Sequence, residues 1–247
     1  MKKTKKIFCI SDIHGHYTIL KSALQNAGFD RKNPDHLLVC CGDYFDRGNE
    51  NYNVLKFLDC IDNKILIRGN HEDMLLKIFN TAKLEEHNFH NGTDITIAEL
   101  FGKYSIDAFG NIDFGGKTRI LERITDFIME SVNFFETKNY VFVHGWLPIK
   151  VNEQKPYIDK DWRNASNEQW SNARWTKWTD VYLDCDRLEG KTIVCGHVPS
   201  FFANKFDCTR YADNADIFYG HKVIVVDAGT ATSGQINVLM IEDELIV

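Results

Sequence analysis

One segment of the chain sets the pattern for the rest, and it reads Leu37-Leu38-Val39-Cys40-Cys41-Gly42-Asp43-Tyr44-Phe45-Asp46-Arg47-Gly48. Its first five residues are an apolar run of strand length, as expected for a strand buried on both faces of a sheet. Gly42 then permits a sharp turn and the close approach of a ligand, because it has no Cβ. The segment therefore predicts a buried strand that ends by presenting the carboxylate of Asp43.

Similar apolar runs recur along the chain and are predicted to be strands: residues 6–10, 64–67, 140–143, 192–195, 223–226 and 236–241. Helical spacing of apolar residues separates the early runs, over residues 17–27, 51–60 and 72–79. This alternation predicts an α/β protein whose mainly parallel sheet is covered by helices.

The middle of the chain departs from this rhythm. Residues 81–117 contain Asn-Gly and Gly-Gly turns around a short helix at 95–104, and we expect a lid-like insertion within a single domain of residues 1–247. A helical period resumes at 121–132. Residues 150–188 are polar and rich in tryptophan and lack strand periodicity, but Ser166 and Gln169 form a capping-box pattern that predicts a helix through Arg174.

Composition narrows the possible partners and compartment. The formal net charge of −6 disfavours a nucleic-acid partner, while it is compatible with small phosphorylated substrates, which need only a few placed cations. The apolar stretch after the basic N-terminus is too short for a signal peptide, and no run is long enough to span a bilayer. The seven cysteines show no CxxC pair, so we expect free thiols in a reducing cytoplasm.

Five of the apolar runs end in side chains that bind metal ions: Asp12, His14, Asp43, Asn70, His71, His144 and His197. Because the carboxyl ends of parallel strands line one crevice, we expect these side chains to converge. Carboxylate, imidazole and amide ligands without a thiolate favour Mn, Fe or Zn over a structural zinc site. The number of ligands favours two ions with Asp43 shared between them, which suits phosphate ester hydrolysis by in-line attack of a metal-bridging hydroxide.

Five motifs, in their order and approximate spacing, resemble the calcineurin-like metallophosphoesterases, in particular the bacterial and phage members related to the phosphoprotein phosphatases. They are Asp12-Ile13-His14-Gly15, Gly42-Asp43 with Asp46-Arg47-Gly48, Gly69-Asn70-His71-Glu72, Val143-His144-Gly145 and Gly196-His197. The resemblance implies a β-sandwich of two mixed sheets flanked by helices, in α/β/β/α layers. It also implies two divalent or mixed-valence metal ions, with Mn as the first choice and Fe or Zn as alternatives.

The resemblance further assigns roles to individual residues. It implies that Asp12, His14 and Asp43 hold one ion, and that Asp43, Asn70, His144 and His197 hold the other. His71 is then the general acid, with Asp46 holding its ring. Arg47 and Arg174 bind the phosphate as planar donor forks, and Asn70 also contacts the substrate.

Two features bear on the choice of substrate. Pro199 stands where many diesterase members carry a second histidine, so the sequence resembles the phosphoprotein-phosphatase and diadenosine-tetraphosphatase branches. We expect a phosphomonoesterase that acts on phosphoserine or phosphothreonine in proteins. The alternatives are a symmetrical dinucleoside tetraphosphatase or another phosphoanhydride or phosphodiester hydrolase, acting on a small phosphorylated metabolite or nucleotide, and a non-catalytic scaffold on the same fold.

Overall fold

The first sheet is formed by the N-terminal third of the chain and its C-terminal strand. We describe it from a computed structural model that covers residues 4–152, 155–182, 188, 190–205 and 214–246. Strands β1 (Thr4–Ile10), β2 (His36–Cys40) and β3 (Lys64–Leu66) are parallel, as predicted. The last strand of the chain, β11 (Leu239–Glu244), joins the edge of β1 antiparallel. The parallel register aligns the carboxyl ends of β1, β2 and β3 on one side.

The second sheet repeats this arrangement with the later strands. Its order is β4 (Phe135–Glu136), β5 (Tyr140–Phe142), β8 (Thr192–Cys195), β10 (Val223–Val225) and β9 (Phe218–Gly220). The three central strands are parallel, and β4 and β9 are antiparallel edges. The two mixed sheets implied by the family resemblance are therefore confirmed, and the parallel character expected from the apolar runs applies to their centres.

Successive side chains along each strand point to opposite faces of its sheet, and this alternation produces four layers. In β1, Ile7 and Cys9 lie in an apolar cluster with residues of the second sheet, such as Phe142 and Val194. The neighbouring Phe8 lies in a separate cluster with the helices on the outer face. Because successive strand residues point to opposite faces, each sheet buries one face on the other sheet and one on helices.

The helices divide between the two outer faces. On the first sheet lie α1 (Tyr17–Asn26), α2 (Asn51–Asp59), α3 (Asn70–Thr81) and α6 (Thr118–Met129). On the second lie α7 (Asn167–Trp175) and α8 (Trp178–Val181), and the short α9 (Thr230–Ser233) precedes β11. Among the residues described, no helix combines the length and apolar character needed to cross a membrane.

The segment 81–117 contains α4 (Glu86–His90) and α5 (Thr93–Phe101). Its apolar residues Ile97, Leu100 and Phe101 are buried in the same cluster as the helices of the first sheet. The backbone is joined to itself by the isolated bridges Lys83↔Asn111 and Ile106↔Ile112. The segment thus packs against the main core through α5, and its lid role stays a prediction.

The tryptophan-rich segment contains a feature that the sequence pattern did not reveal. Strands β6 (Ile149–Asn152) and β7 (Lys155–Ile158) form a two-stranded antiparallel sheet where we expected no strand. Three successive residues of β6, Lys150, Val151 and Asn152, are exposed, and Ile158 is the one buried residue of the two strands, so the apolar alternation that identifies a half-buried strand is missing. The predicted capping box of α7 is confirmed, because Ser166 and Gln169 bond each other reciprocally.

Buried aromatic and thiol groups complete the core. Trp162, Trp170 and Trp178 lie in the apolar cluster on the outer face of the second sheet, whereas Trp175 is 49% exposed. Four cysteines of the predicted strand runs are buried: Cys9, Cys40, Cys41 and Cys195.

Candidate active site

The polar side chains that follow the strands of both sheets meet at one end of the sandwich. Asp12 and His14 follow β1, Asp43 follows β2, and Asn70 and His71 open α3, which is separated from the end of β3 by three residues. From the second sheet, His144 follows β5 and His197 follows β8. All of them are buried except His197, which is partly exposed. The convergence predicted from strand ends is therefore observed, and both sheets contribute side chains to it.

Asp43 lies at the centre of this group, and its two carboxylate oxygens face different neighbours. Oδ2 lies 3.6 Å from Nε2 of His14 and 3.8 Å from Nε2 of His71. Oδ1 lies 3.4 Å from Nε2 of His144. Two sets of potential ligands result, His14 with Asp43 and His71, and Asp43 with His144 and His197, and they share only Asp43. One carboxylate can thus serve two adjacent ions.

Backbone carbonyls aim the imidazoles into the site. Nδ1 of His14 bonds the carbonyl of Phe45 at 2.9 Å, and Nδ1 of His144 bonds the carbonyl of Cys41 at 2.7 Å. Such a bond fixes the tautomer and leaves Nε2 as the ligand atom. Among the described residues, Nε2 of His14 is buried and has no hydrogen-bond partner. Since buried polar atoms are normally satisfied, this orphaned nitrogen fits a metal ligand.

The remaining predicted ligands face the same space. Oδ1 of Asn70 lies 2.8 Å from Nε2 of His144. Asp12 presents Oδ1 at 3.8 Å from Nε2 of His14, while its Oδ2 accepts hydrogen bonds from the Ser11 hydroxyl and from the backbone N–H of His197. The donor set of carboxylates, imidazoles and one amide oxygen fits two divalent cations.

Two glycines make this close assembly possible. A Cβ on Gly69 would collide with Oδ1 and the backbone nitrogen of Asp43, and a Cβ on Gly196 would collide with Ser11 and with Oδ2 of Asp12. Any side chain at these positions would displace a carboxylate of the site, so glycine is required by the approach of neighbouring groups.

Backbone strain is concentrated at the same place. Within the described residues, eight non-glycine residues have positive φ, and six of them belong to the site: Asp12, His14, Asp43, Asp46, Arg47 and His197, with φ between 48° and 72°. The left-handed region costs on the order of 1 kcal/mol or more for such residues. The surrounding fold must therefore hold these loops in place.

The protonation states suit metal binding. Burial alone would raise the pKa of Asp43, but four neighbouring imidazoles, led by that of His144, outweigh it and bring this pKa below its ordinary range. Burial and then the nearby His71 lower the pKa of His14 well below its ordinary value. Burial and then His144 lower the pKa of His197 to about 4. The site thus holds the ionised carboxylate of Asp43 beside the neutral imidazoles of His14 and His197, the forms in which these groups bind cations.

His71 differs from the other histidines of the site. Its Nδ1 lies 2.7 Å from Oδ2 of Asp46, which is fully buried, and Nη2 of the exposed Arg47 lies 3.5 Å from its Nε2. Burial lowers the pKa of His71, but Asp43 and then Asp46 outweigh this effect and raise it to about 9. The imidazole is therefore charged at neutral pH and has a proton to give.

The structure places Arg174 differently from Arg47. Its side chain is 5% exposed, its Nε donates to Asp73 of α3 at 2.7 Å, and its Nη1 donates to Asn133 at 2.8 Å. Arg68 also approaches Asp73, at 3.9 Å. The guanidinium of Arg174 thus ties α7 to α3. Of its three nitrogens, Nη2 is the one without a hydrogen-bond partner among the described residues.

Glu72 also has a structural position, as expected for an acidic side chain at a helix N-terminus. Its carboxylate accepts hydrogen bonds from the backbone N–H groups of Gly69, Asp43 and Tyr44, each at 2.9 Å. It therefore joins the start of α3 to the Asp43 loop, a long-range contact that the sequence pattern did not predict.

Residues of α5 complete the site and were not predicted from the sequence. Thr93 and Thr96 donate hydrogen bonds to the two carboxylate oxygens of Asp46, at 3.0 and 2.8 Å. The one available signal was their spacing of three residues, which places both on one face of the helix. Nothing in that spacing identifies Asp46 as the partner.

Comparison with known proteins identifies a matching family model and curated proteins that are similar to part of this chain. Residues 5–225 match the family model described as calcineurin-like phosphoesterase. Over 81 residues the chain is 39% identical to serine/threonine-protein phosphatase 2 of Escherichia coli (strain K12), a match covering 32% of this chain and 34% of that protein. Serine/threonine-protein phosphatase PP1-delta of Caenorhabditis elegans is 35% identical over 71 residues, 27% of this chain and 22% of that protein. The matched region thus spans about a third or less of these curated relatives.

Solved structures agree at the level of the fold. A protein described as a candidate diadenosine tetraphosphatase superimposes with a TM-score of 0.55 at 16% identity, covering 98% of this chain and 94% of that chain. The cold-active protein-tyrosine phosphatase of a Shewanella species gives a TM-score of 0.51 at 16% identity, covering 98% and 80%. From the match over residues 5–225, the chain belongs to the calcineurin-like phosphoesterase family.

Proposed function

We propose that this protein is a metal-dependent phosphomonoesterase that acts on phosphoserine or phosphothreonine in proteins. The observation that carries the proposal is the position of the Asp43 carboxylate. Its two oxygens face two separate sets of ligand side chains, and the charged His71 lies beside them. The first ion is assigned to Asp12, His14 and Asp43. The second is assigned to Asp43, Asn70, His144 and His197. When bound, two such ions supply an activated water and neutralise charge on the phosphate.

Arg47 is the residue that we assign to phosphate binding. Its side chain is exposed, and Nη2 lies at the mouth of the site, 3.5 Å from Nε2 of His71. A guanidinium presents a planar pair of donors that matches two phosphate oxygens. We also assign the side-chain amide of Asn70 to substrate contact. Arg174 can offer Nη2 to a phosphate oxygen farther from Arg47. Because Nε and Nη1 of Arg174 are bonded elsewhere, we assign it the smaller share of the binding energy.

His71 is assigned as the general acid. Its Nδ1 is held by Asp46, so the proton on Nε2 is the one that can be transferred to the leaving-group oxygen. The raised pKa of about 9 keeps this proton in place at neutral pH. Nε2 also lies 3.8 Å from Oδ2 of Asp43, within the first set of ligand atoms. The bond to Asp46 and the charge on the ring favour the acid role, since a cationic imidazole does not bind a cation.

The class of leaving group is supported by the relatives. The curated proteins with matching segments are named as serine/threonine-protein phosphatases. Pro199 is also consistent with this branch. The match with the bacterial relative covers about a third of each chain.

The proposal is tested by one panel of substrates. Purified protein is supplied with Mn, Fe, Zn or Mg and assayed against phosphoserine and phosphothreonine peptides, nitrophenyl phosphate mono- and diesters, and diadenosine tetraphosphate. We expect the phosphopeptides and the monoester to be hydrolysed fastest, with Mn as the most effective ion. Preferred hydrolysis of diadenosine tetraphosphate would replace the proposed substrate with a dinucleoside polyphosphate.

Metal content is measured on the same preparation. Binding of none of these ions, together with no hydrolysis of any ester, would refute the enzymatic proposal and leave a scaffold on this fold. The Asp43→Asn variant is the matched negative control, because it removes the charge shared by both sets of ligands while it keeps the size of the side chain.

A further inference from the structure

Helix α5 carries polar side chains at every third position. Thr93, Thr96 and Glu99 follow each other at spacings of three, which places them along one side of the helix. Thr93 and Thr96 have no exposed surface, and the neighbouring Ile97 and Leu100 belong to the apolar core. Polar groups buried so completely need specific partners, since an unpaired hydroxyl in the core is costly.

The partner of both hydroxyls is the carboxylate of Asp46. Thr93 donates to Oδ2 at 3.0 Å and Thr96 donates to Oδ1 at 2.8 Å, while Nδ1 of His71 bonds Oδ2 at 2.7 Å. Three side-chain donors thus occupy both oxygens. A carboxylate turns easily about its last bond, but only one orientation of its plane satisfies donors on both sides.

The same helix also holds the backbone around Asp46. The N–H of Asp46 donates to Oγ1 of Thr96 and to Oδ1 of Asn51, both at 3.1 Å. Glu99 in turn accepts from the backbone N–H of Asn51 at 2.9 Å and from its side-chain amide at 2.7 Å. This support matters because Asp46 and Arg47 have φ of 72° and 68°, a conformation that such residues keep only when neighbours impose it.

We propose that Thr93 and Thr96 are positioning residues for the general acid, an inference that rests on the proposed function of the site. They hold the plane of the Asp46 carboxylate, and this plane sets the direction in which Nε2 of His71 points. Segment 81–117 thereby acts on the reaction through α5. Neither hydroxyl touches the substrate or the reacting atoms.

The simpler interpretation is that the hydroxyls only satisfy a buried carboxylate and so stabilise the fold. Under that interpretation, replacing either threonine lowers stability but slows all substrates equally. Under the positioning proposal, loss of a hydroxyl slows esters with poor leaving groups most, because these depend on proton donation from His71. The two interpretations therefore differ in a ratio of rates.

The test compares Thr93→Val, Thr96→Val and the double variant with wild type, using the isosteric valine to remove the hydroxyl alone. Thr93→Ser and Thr96→Ser keep the hydroxyl and serve as rescue variants. Thr125→Val on α6 is the matched control, because Thr125 bonds the carbonyl of Leu121 in its own helix and lies in another element.

Two readouts are used. NMR of the metal-free protein reports the Nδ1 proton of His71, and steady-state kinetics with a supplied divalent ion reports kcat for aryl phosphates with good and poor leaving groups. We expect each valine variant to shift or broaden the His71 signal and to lower kcat for the poor leaving group roughly tenfold more than for the good one, with KM nearly unchanged. The serine variants should restore both readouts, and the control should change neither.

An unchanged His71 signal in the double variant, or equal slowing of both esters, would overturn the proposal. If the double variant does not fold, the single variants decide the question by the same criteria. If the wild-type protein hydrolyses no ester, the proposed function fails, whereas the NMR comparison still decides whether the threonines position His71.

Discussion

Replacing Asp46 with asparagine removes a negative charge beside His71 while it keeps an acceptor for Nδ1. The pKa of His71 is raised from 6.5 to about 9. This rise corresponds to about 3 kcal/mol in favour of the charged imidazole, since one pH unit is worth about 1.4 kcal/mol. Asp43 and then Asp46 supply the attraction against the opposing effect of burial. Because bound cations would compensate Asp43, Asp46 would be the charge that keeps His71 protonated once both ions are bound.

The sign of the effect follows from the direction of this shift. A raised pKa means that His71 is protonated below about pH 9, and without the charge of Asp46 the proton is lost at lower pH. For Asp46→Asn we therefore expect the alkaline limb of kcat/KM to move toward lower pH. We also expect kcat for esters with poor leaving groups to fall about 100-fold at pH 8, within the range of general acid catalysis.

The assay pairs nitrophenyl phosphate with an alkyl phosphate, at saturating metal and over pH 6 to 9.5, and NMR titration of the metal-free protein follows the His71 ring directly. Asp62→Asn, at an exposed position after α2, is the control for loss of one acidic charge. If Asp46→Asn slowed both esters equally and left the His71 titration unchanged, the assigned partnership between Asp46 and His71 would be wrong.

Three other predictions concern the metal centre and the joint between the sheets. Asp43→Asn should lower the content of both ions, whereas His71→Ala should leave it near wild type, which elemental analysis measures; parallel loss in His71→Ala would make His71 a ligand. Gly196→Ala places a Cβ against Ser11 and Asp12, so affinity for the first ion should fall at least tenfold in calorimetric titration, and unchanged affinity would show that the loop adjusts. Asp243 is a buried acceptor of hydrogen bonds from Thr137 and Asn139, and these bonds join β11 to the second sheet. Asp243→Ala removes the acceptor and should lower the free energy of unfolding, measured by urea titration, by about 2–3 kcal/mol. Burial raises the pKa of Asp243, but these hydrogen bonds outweigh burial and hold the pKa below its ordinary value. The stabilisation is therefore present at neutral pH. The difference in unfolding free energy between wild type and Asp243→Ala should shrink as the pH falls below about 4. A constant difference down to pH 3 would contradict this assignment.

The convergence of the candidate ligands was predictable because its signals are local. Each strand run and the polar residue directly after it are neighbours in sequence, as in β2 and Asp43. Glycines at 42, 69 and 196 mark the turns for the same reason. Strands β6 and β7 escaped prediction because successive residues of β6 are exposed and one residue of the two strands, Ile158, is buried, so the alternation on which strand prediction depends is missing.

The sequence by itself thus determined which residues can bind metal ions and which family motifs they form. Only the tertiary structure decided which histidines each carboxylate oxygen of Asp43 faces. The same holds for the hydrogen bond from Arg174 to Asp73 and for those from Thr93 and Thr96 to Asp46. These contacts join residues dozens of positions apart. Periodicity and spacing report how a residue relates to its own helix or strand, whereas a partner on another element is set by how the layers pack.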